Sequence, residues 1–301
     1  MRILVTGREG QVVCALLERA AVAGVEIIPI GRPDFDLAGP PDRIVSATKA
    51  GRPDVIVSAA AYTQVDKAES ERELAFAVNA HGPRAIARAA GELGVPLVHL
   101  STDYVFDGTK SSPYSEDDRP NPAGAYGASK LAGEEAVLAE NADSVVLRTA
   151  WVYSPFASNF VKTMLRVAAD REEISVVADQ RGNPTCALDI ADGILGVAAN
   201  LRGNPDPALR GIFHMTGASE ASWAEFAEAV FAESSRAGGP SARVRHIYAA
   251  DYPTAARRPA NSRLDSGKLE RTHGVSLPDW HSSLKEVVTR LVGTGKRSAN
   301  R

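Results

Sequence analysis

The chain of 301 residues has only two cysteines, Cys14 and Cys186. They lie far apart without Cys-x-x-Cys spacing, so neither a disulfide framework nor a thiolate metal site is expected. Its six histidines are scattered and none forms a His-Glu-x-x-His pair, which removes the usual zinc-hydrolase reading. No apolar run approaches the roughly 18 residues that span a bilayer. A net charge of -3 gives no electrostatic reason to expect nucleic acid or an anionic membrane. The first residues, Met1-Arg2-Ile3-Leu4-Val5, enter a strand-like run at once and leave no room for a signal peptide. A cytoplasmic protein in a reducing setting follows as the expectation, with no metal. What remains is a globular composition, 44% apolar and 24% charged, with chain enough for one large or two ordinary domains.

Short apolar runs at Ile3-Leu4-Val5, 25–30, Val55-Ile56-Val57, 97–100 and Val145-Val146-Leu147 alternate with segments of helical period. One of these segments, 70–94, reads as a single long helix. Strand and helix in such alternation predict an α/β fold, a doubly wound parallel sheet of the Rossmann type. Beyond Trp151 the rhythm loosens. Helices are expected near 160–169, 188–199, 222–235 and after Trp280, with strands near 174–177, 212–215 and 244–248. The expected division is a dinucleotide-binding domain over 1–150, with 187–201 returning to it. A smaller α/β substrate-binding domain takes 151–186 and 202–292, and 293–301 forms a frayed, flexible tail.

Chemistry is expected where the strands end. Gly7-x-x-Gly10 follows the first strand and precedes a helix, the context in which glycines let a backbone approach a pyrophosphate. The usual third glycine is replaced by Val13. The second strand ends in Gly31-Arg32 instead of an acid; an arginine there suits a 2′-phosphate and points to NADPH, with NADH possible. A solvated surface arginine would look the same. Asp36 and Leu37 fall in a loop on the adenine side. Small residues at Ala59-Ala60-Ala61, before Tyr62 and Thr63, let a flat ligand lie on the backbone. Ser101-Thr102-Asp103 places hydroxyls and a carboxylate at the fourth strand end.

A Pro-, Ser- and Asp-rich loop over 106–125 then leads to Tyr126-Gly127-Ala128-Ser129-Lys130. On a helix, Tyr126 and Lys130 share a face. The ammonium should draw the phenol down from its usual value near 10, making the tyrosine a proton donor to a carbonyl. Tyr-x-x-x-Lys also arises by chance on exposed helices. Late in the chain, Ala256-Arg257-Arg258-Pro259-Ala260-Asn261-Ser262-Arg263 concentrates positive charge; it could hold a diphosphate or be a solvated basic loop.

Further segments complete a pattern with these: Thr63-x-Val65-Asp66-x-Ala68-Glu69, Ser101-Thr102-Asp103-Tyr104-Val105-Phe106, Arg148-Thr149-Ala150-Trp151-Val152-Tyr153, Asn159-Phe160-x-Lys162-Thr163-Met164 and Asp179-Gln180-x-Gly182-x-Pro184-Thr185. Together they resemble the extended short-chain dehydrogenase/reductases, and within these the dTDP-4-dehydrorhamnose reductase family, over residues 1 to about 292. The resemblance implies NADPH-dependent reduction of the 4-keto group of dTDP-4-dehydro-L-rhamnose, a small-molecule dTDP-sugar. Tyr126 would be the general acid. Lys130 would lower its pKa and hold the nicotinamide ribose, and Thr102 would hydrogen-bond the carbonyl or the tyrosine. Asp103, Trp151, Arg257 and Asn261 would meet the substrate, while Gly7, Gly10, Gln11, Val12, Ala61, Tyr62 and Thr63 would line the dinucleotide.

Some members of that family dimerise through magnesium held by glutamates. The matching positions here are Ala15, Leu188 and Arg290, none of them a ligand for a hard cation. A monomer or a weak, metal-independent dimer is therefore expected. Two other readings stay open. A nucleotide-sugar epimerase or dehydratase of the same superfamily is one, although Thr102-Asp103-Tyr104 lacks the paired acids of dehydratases. The other is a non-catalytic subunit resembling the regulatory subunit of methionine adenosyltransferase, against which the intact Thr102, Tyr126 and Lys130 argue.

Overall fold

The computed structural model describes residues 1–299, with side chains as far as residue 293. The first half runs β1 (Arg2–Thr6), α1 (Gln11–Ala23), β2 (Glu26–Ile30), α2 (Pro41–Ala50) and β3 (Val55–Ser58). It continues through α3 (Arg72–Phe76), a π-helical turn (Ala77–His81), α4 (Gly82–Leu93), β4 (Leu97–Thr102), α5 (Ala125–Glu140) and β5 (Ser144–Thr149). The second half contributes β6 (Val152–Tyr153), α6 (Phe160–Ala168), β7 (Glu173–Val177), β8 (Arg181–Gly182), β9 (Thr185–Cys186), α7 (Ala187–Leu201) and β10 (Gly211–His214). It closes with β11 (Ala221–Ser222), α8 (Trp223–Arg236), β12 (Arg243–Ile247), α9 (Gly267–His273) and α10 (Trp280–Ala299).

Six parallel strands form the main sheet in the order β10-β5-β4-β3-β1-β2. Alternate side chains divide between its two faces. Ile3, Val5, Val55 and Val57 join the core that includes α1 and α7, whereas Leu4 and Ile56 join the core that includes α2 and α4. Pro29 sits in β2, an edge strand, where a missing N–H is tolerated. Beyond the sheet, β7 and β12 form a separate parallel pair against α8, and β8 pairs antiparallel with β11.

Three expectations change. Residues 211–214 were expected in the substrate-binding part, yet β10 pairs with β5 and completes the main sheet. The irregular stretch before it, 202–210, breaks the strand–helix rhythm that revealed the other five strands. The helix expected over 70–94 contains the π turn, which places the buried Asn79 between the crevice wall and α5. α10 continues through Ala299, past the point where the frayed tail was expected; positions 300 and 301 lie outside the described residues.

Candidate active site

The C-terminal ends of β1, β2 and β3 open into a crevice of about 880 Å³. Gly7, with φ of 105°, turns the chain there, a conformation that suits glycine. Gly10 precedes α1 with extended backbone and no side-chain cap, so the first N–H groups of that helix are open to an anion. Arg32, Asp36, Leu37, Ala61, Tyr62 and Thr63 all line the crevice. Arg32 makes no ion pair among the described residues. Arg8, unremarked in the sequence because it sits inside the glycine loop, lines the crevice too and pairs with Asp34 at 2.8 Å.

Gly10, Gln11 and Val12 lie at the start of α1 rather than on the crevice wall. The Gln11 side chain is directed at the turn after β6. It donates to the Val152 carbonyl and accepts from Ser154 and Asn159. These bonds tie that turn to α1.

Thr102 ends β4, and α5 brings Tyr126 beside it. The approach depends on Gly127, because a Cβ there would run into the Tyr104 carbonyl. Gly127→Ala should therefore lower stability by about 1–3 kcal/mol, seen as a lower urea midpoint at unchanged m-value, and reduce turnover as α5 shifts. An unchanged midpoint would show that α5 has room to move. Asn79 secures the other side of the helix. It donates to Ser129 Oγ (3.0 Å) and the Tyr62 carbonyl (3.1 Å) and accepts the Tyr62 N–H (2.8 Å). Ser129 in turn donates to the Tyr126 carbonyl. The sequence concealed Asn79; a polar residue on the buried face of a long helix was the only signal.

Electrostatics at the cluster differ from expectation. Tyr126 packs edge-on to Tyr104, with ring centroids 5.6 Å apart. Burial, and then the charge of Asp103, push its phenol well above the ordinary value, while the neighbouring Thr102 hydroxyl opposes them. Lys130 does not lower it. The ammonium donates to the Leu100 carbonyl at 2.7 Å and lies 3.5 Å from His99 Nε2. Sharing a helix face does not bring the charged ends together when a long side chain has a backbone acceptor in reach. Burial pulls Lys130 down to about 8, with Glu134 acting the other way. His99 is fully buried and held neutral by desolvation and by Lys130, with Nδ1 3.1 Å from Ser58 Oγ. Burial pushes Asp103 up to about 6, and the Thr102 hydroxyl, which donates to its Oδ1 at 2.8 Å, works against that rise.

Behind the cluster, Arg148 of β5 and Glu134 of α5 form an ion pair at 2.6 Å, both side chains 1% exposed. Ser101 also donates to Glu134, and the Arg148 guanidinium lies over the Phe106 ring.

Just past the end of β5, Trp151 adopts φ of 48°, unusual for a residue with a side chain. Its indole stacks on Trp223 at 3.6 Å and lies close to Gly182. Trp223 was not foreseen, since it reads as an ordinary core aromatic. The Asn261 side chain is engaged within the protein. Its amide donates to the Lys110 and Ser112 carbonyls, and its oxygen accepts from Arg263, so its side chain fastens two loops together. The basic segment is divided as well. Arg258 bonds Asp66 and the Tyr104 hydroxyl, Arg263 bonds Glu220, and the exposed Arg257 makes no ion pair among the described residues.

Ala15 and Leu188 are buried, and Arg290 holds Glu18 through two hydrogen bonds. Among the described residues no three His, Cys, Asp or Glu gather as a metal site, and no helix is long and apolar enough to cross a membrane.

The family described as the RmlD substrate binding domain matches residues 1–292. A dTDP-4-dehydrorhamnose reductase of Sinorhizobium fredii is 52% identical over 296 residues, 98% of this chain and 99% of that protein. One from Escherichia coli K12 is 40% identical over 299 residues, again 98% and 99%. Among solved structures, a dTDP-4-dehydrorhamnose reductase of Clostridium acetobutylicum superposes with a TM-score of 0.89 at 37% identity, over 97% of this chain and 99% of that one. One from Bacillus anthracis, in complex with NADP, gives 0.87 at 35% identity, over 95% and 98%.

Proposed function

The chain belongs to the RmlD substrate binding domain family, and from that premise we propose that it reduces the 4-keto group of dTDP-4-dehydro-L-rhamnose to dTDP-L-rhamnose with NADPH. The carrying observation is the meeting of Thr102 and Tyr126 beside a crevice shaped for a dinucleotide. The residues present fit that cofactor. Gly7 and the uncapped start of α1 suit a diphosphate, and Arg32, with Arg8 near it, suits a 2′-phosphate. The nicotinamide supplies a hydride to the carbonyl carbon when bound. The chain itself supplies the proton and the orientation. Tyr126, kept protonated by its surroundings, delivers a proton to the new alkoxide oxygen. Thr102 lies beside that donor, and Lys130 is the cation assigned to the nicotinamide ribose.

Trp151 on Trp223, with the exposed Arg257, is the proposed sugar-nucleotide side. The β7–β12 lobe is taken as the smaller substrate-binding part. We place the protein in the cytoplasm, as a monomer or a weak dimer formed without metal, since Arg290 already engages Glu18.

Loss of NADPH absorbance on adding dTDP-4-dehydro-L-rhamnose tests the reading. One NADPH should be oxidised per sugar. An epimerase would consume none in stoichiometric amount, and a binding subunit would do nothing. In the same assay Arg32→Ala should raise KM for NADPH about 10- to 100-fold, the worth of a hydrogen bond to a charged group, and leave KM for NADH unchanged. Equal effects on both cofactors would remove Arg32 from the 2′-phosphate.

A further inference from the structure

Thr102 has one hydroxyl proton and more than one claim on it. Its Oγ1 donates to Asp103 Oδ1 at 2.8 Å and accepts the Tyr104 N–H at 3.2 Å, and the Tyr126 hydroxyl faces it. While the proton is committed to the carboxylate, Thr102 can only accept from Tyr126. The Tyr126 proton, which the reaction must deliver, is then drawn toward Thr102 and away from the substrate.

The geometry points to Asp103 as a positioning residue that sets the direction of the Thr102 hydroxyl. Ionised, it holds that hydroxyl on itself; protonated, it frees Thr102 to donate toward Tyr126 and the reacting oxygen, which turns reduction on. This inference rests on the reductase reading.

A second observation supports it. Asp103 is 3% exposed, and its Oδ2 has no hydrogen-bond partner among the described residues. A buried carboxylate is seldom left so poorly served. Thr102 and Tyr104 face it from the end of β4, Tyr126 from α5, and Ser262 from the segment before α9. The cations of the neighbourhood are engaged elsewhere. Arg258 bonds Asp66 and the Tyr104 hydroxyl, and Lys130 bonds the Leu100 carbonyl. The protonated form therefore becomes accessible close to neutrality, at about 6.

The test is the pH dependence of single-turnover NADPH oxidation, with cofactor and dTDP-4-dehydro-L-rhamnose saturating. In the wild type the rate should fall as pH rises through Asp103 titration, by up to about tenfold per unit. Asp103→Asn and Thr102→Val should each show a flat profile over that range, at different absolute rates, and Thr102→Ser should restore the slope. A slope that survives in Thr102→Val would overturn the inference, because Asp103 would then act without Thr102. A second measurement is independent of turnover. In the ligand-free protein labelled with 13C at aspartate carboxyls, the signal missing from Asp103→Asn identifies Asp103. Its titration should lie near 6 and move upward in Thr102→Val, which lacks the donor to the ionised form. A titration unmoved by that substitution would also overturn the inference. If the wild type oxidises no NADPH with this sugar at any pH, the proposed reaction fails, and the carboxyl titration still decides the Asp103–Thr102 linkage.

Discussion

Tyr126→Phe is expected to lower single-turnover reduction by about 10²- to 10⁴-fold while the protein stays folded and binds NADPH as before. Phenylalanine keeps the edge-on packing against Tyr104 and loses only the hydroxyl. The size of the loss follows from the state of that hydroxyl. Burial and the Asp103 charge raise its pKa, so at neutral pH Tyr126 is a phenol with its proton in place. A reductase needs that form, since the alkoxide left by hydride arrival must be protonated. The same fact assigns any alkaline loss of rate. A phenol held above its ordinary value cannot titrate near neutrality, whereas Lys130, pulled down to about 8, can. An alkaline limb should therefore persist in a Tyr126→Phe enzyme assayed for NADPH binding. It should vanish in Lys130→Met, which carries no titrating group there. Near-native turnover in folded, cofactor-bound Tyr126→Phe would reassign the proton donor altogether.

The parts legible in the sequence are those governed by local rules. β1, β3, β4 and β5 are short apolar runs because both faces of a parallel sheet are buried, and the glycine loop after β1 reads from the backbone freedom it needs. What the sequence concealed depends on contacts distant along the chain. β10 is a four-residue strand recognisable only by its partner β5. Asn79 matters because a π turn aims it at both Tyr62 and Ser129, and periodicity cannot show such a turn. Asn261 gives both its amide protons to the carbonyls of Lys110 and Ser112, residues some 150 positions earlier that no local pattern links to it. Lys130 is the most instructive case. Its spacing from Tyr126 identified the pair, but the groups that place its ammonium, Leu100 and His99, belong to a strand 30 and 31 residues earlier. Spacing alone therefore gave the wrong sign for the tyrosine shift.

Glu134→Ala should produce the largest loss of stability among these changes, about 3–5 kcal/mol, read from the urea midpoint. The magnitude comes from what is left behind. Arg148 is 1% exposed, and its Nη1 already lacks a hydrogen-bond partner among the described residues. Removing the carboxylate strands a full charge between β5 and α5, with only the Phe106 ring face for company. Removing both charges, as in Glu134→Leu with Arg148→Met, strands none, so the double variant should recover most of the loss. A double variant as unstable as Glu134→Ala would mean that packing, and not an uncompensated charge, sets the cost. The same pair bears on function through Lys130, one helical turn before Glu134. Glu134 is the group that raises Lys130 against its burial, so both variants should lower the lysine further. The double variant then separates two roles that Glu134→Ala confounds. With stability restored and the carboxylate still absent, a downward shift of the alkaline limb in NADPH binding belongs to the lost charge alone. An unshifted limb would confine Glu134 to holding the fold.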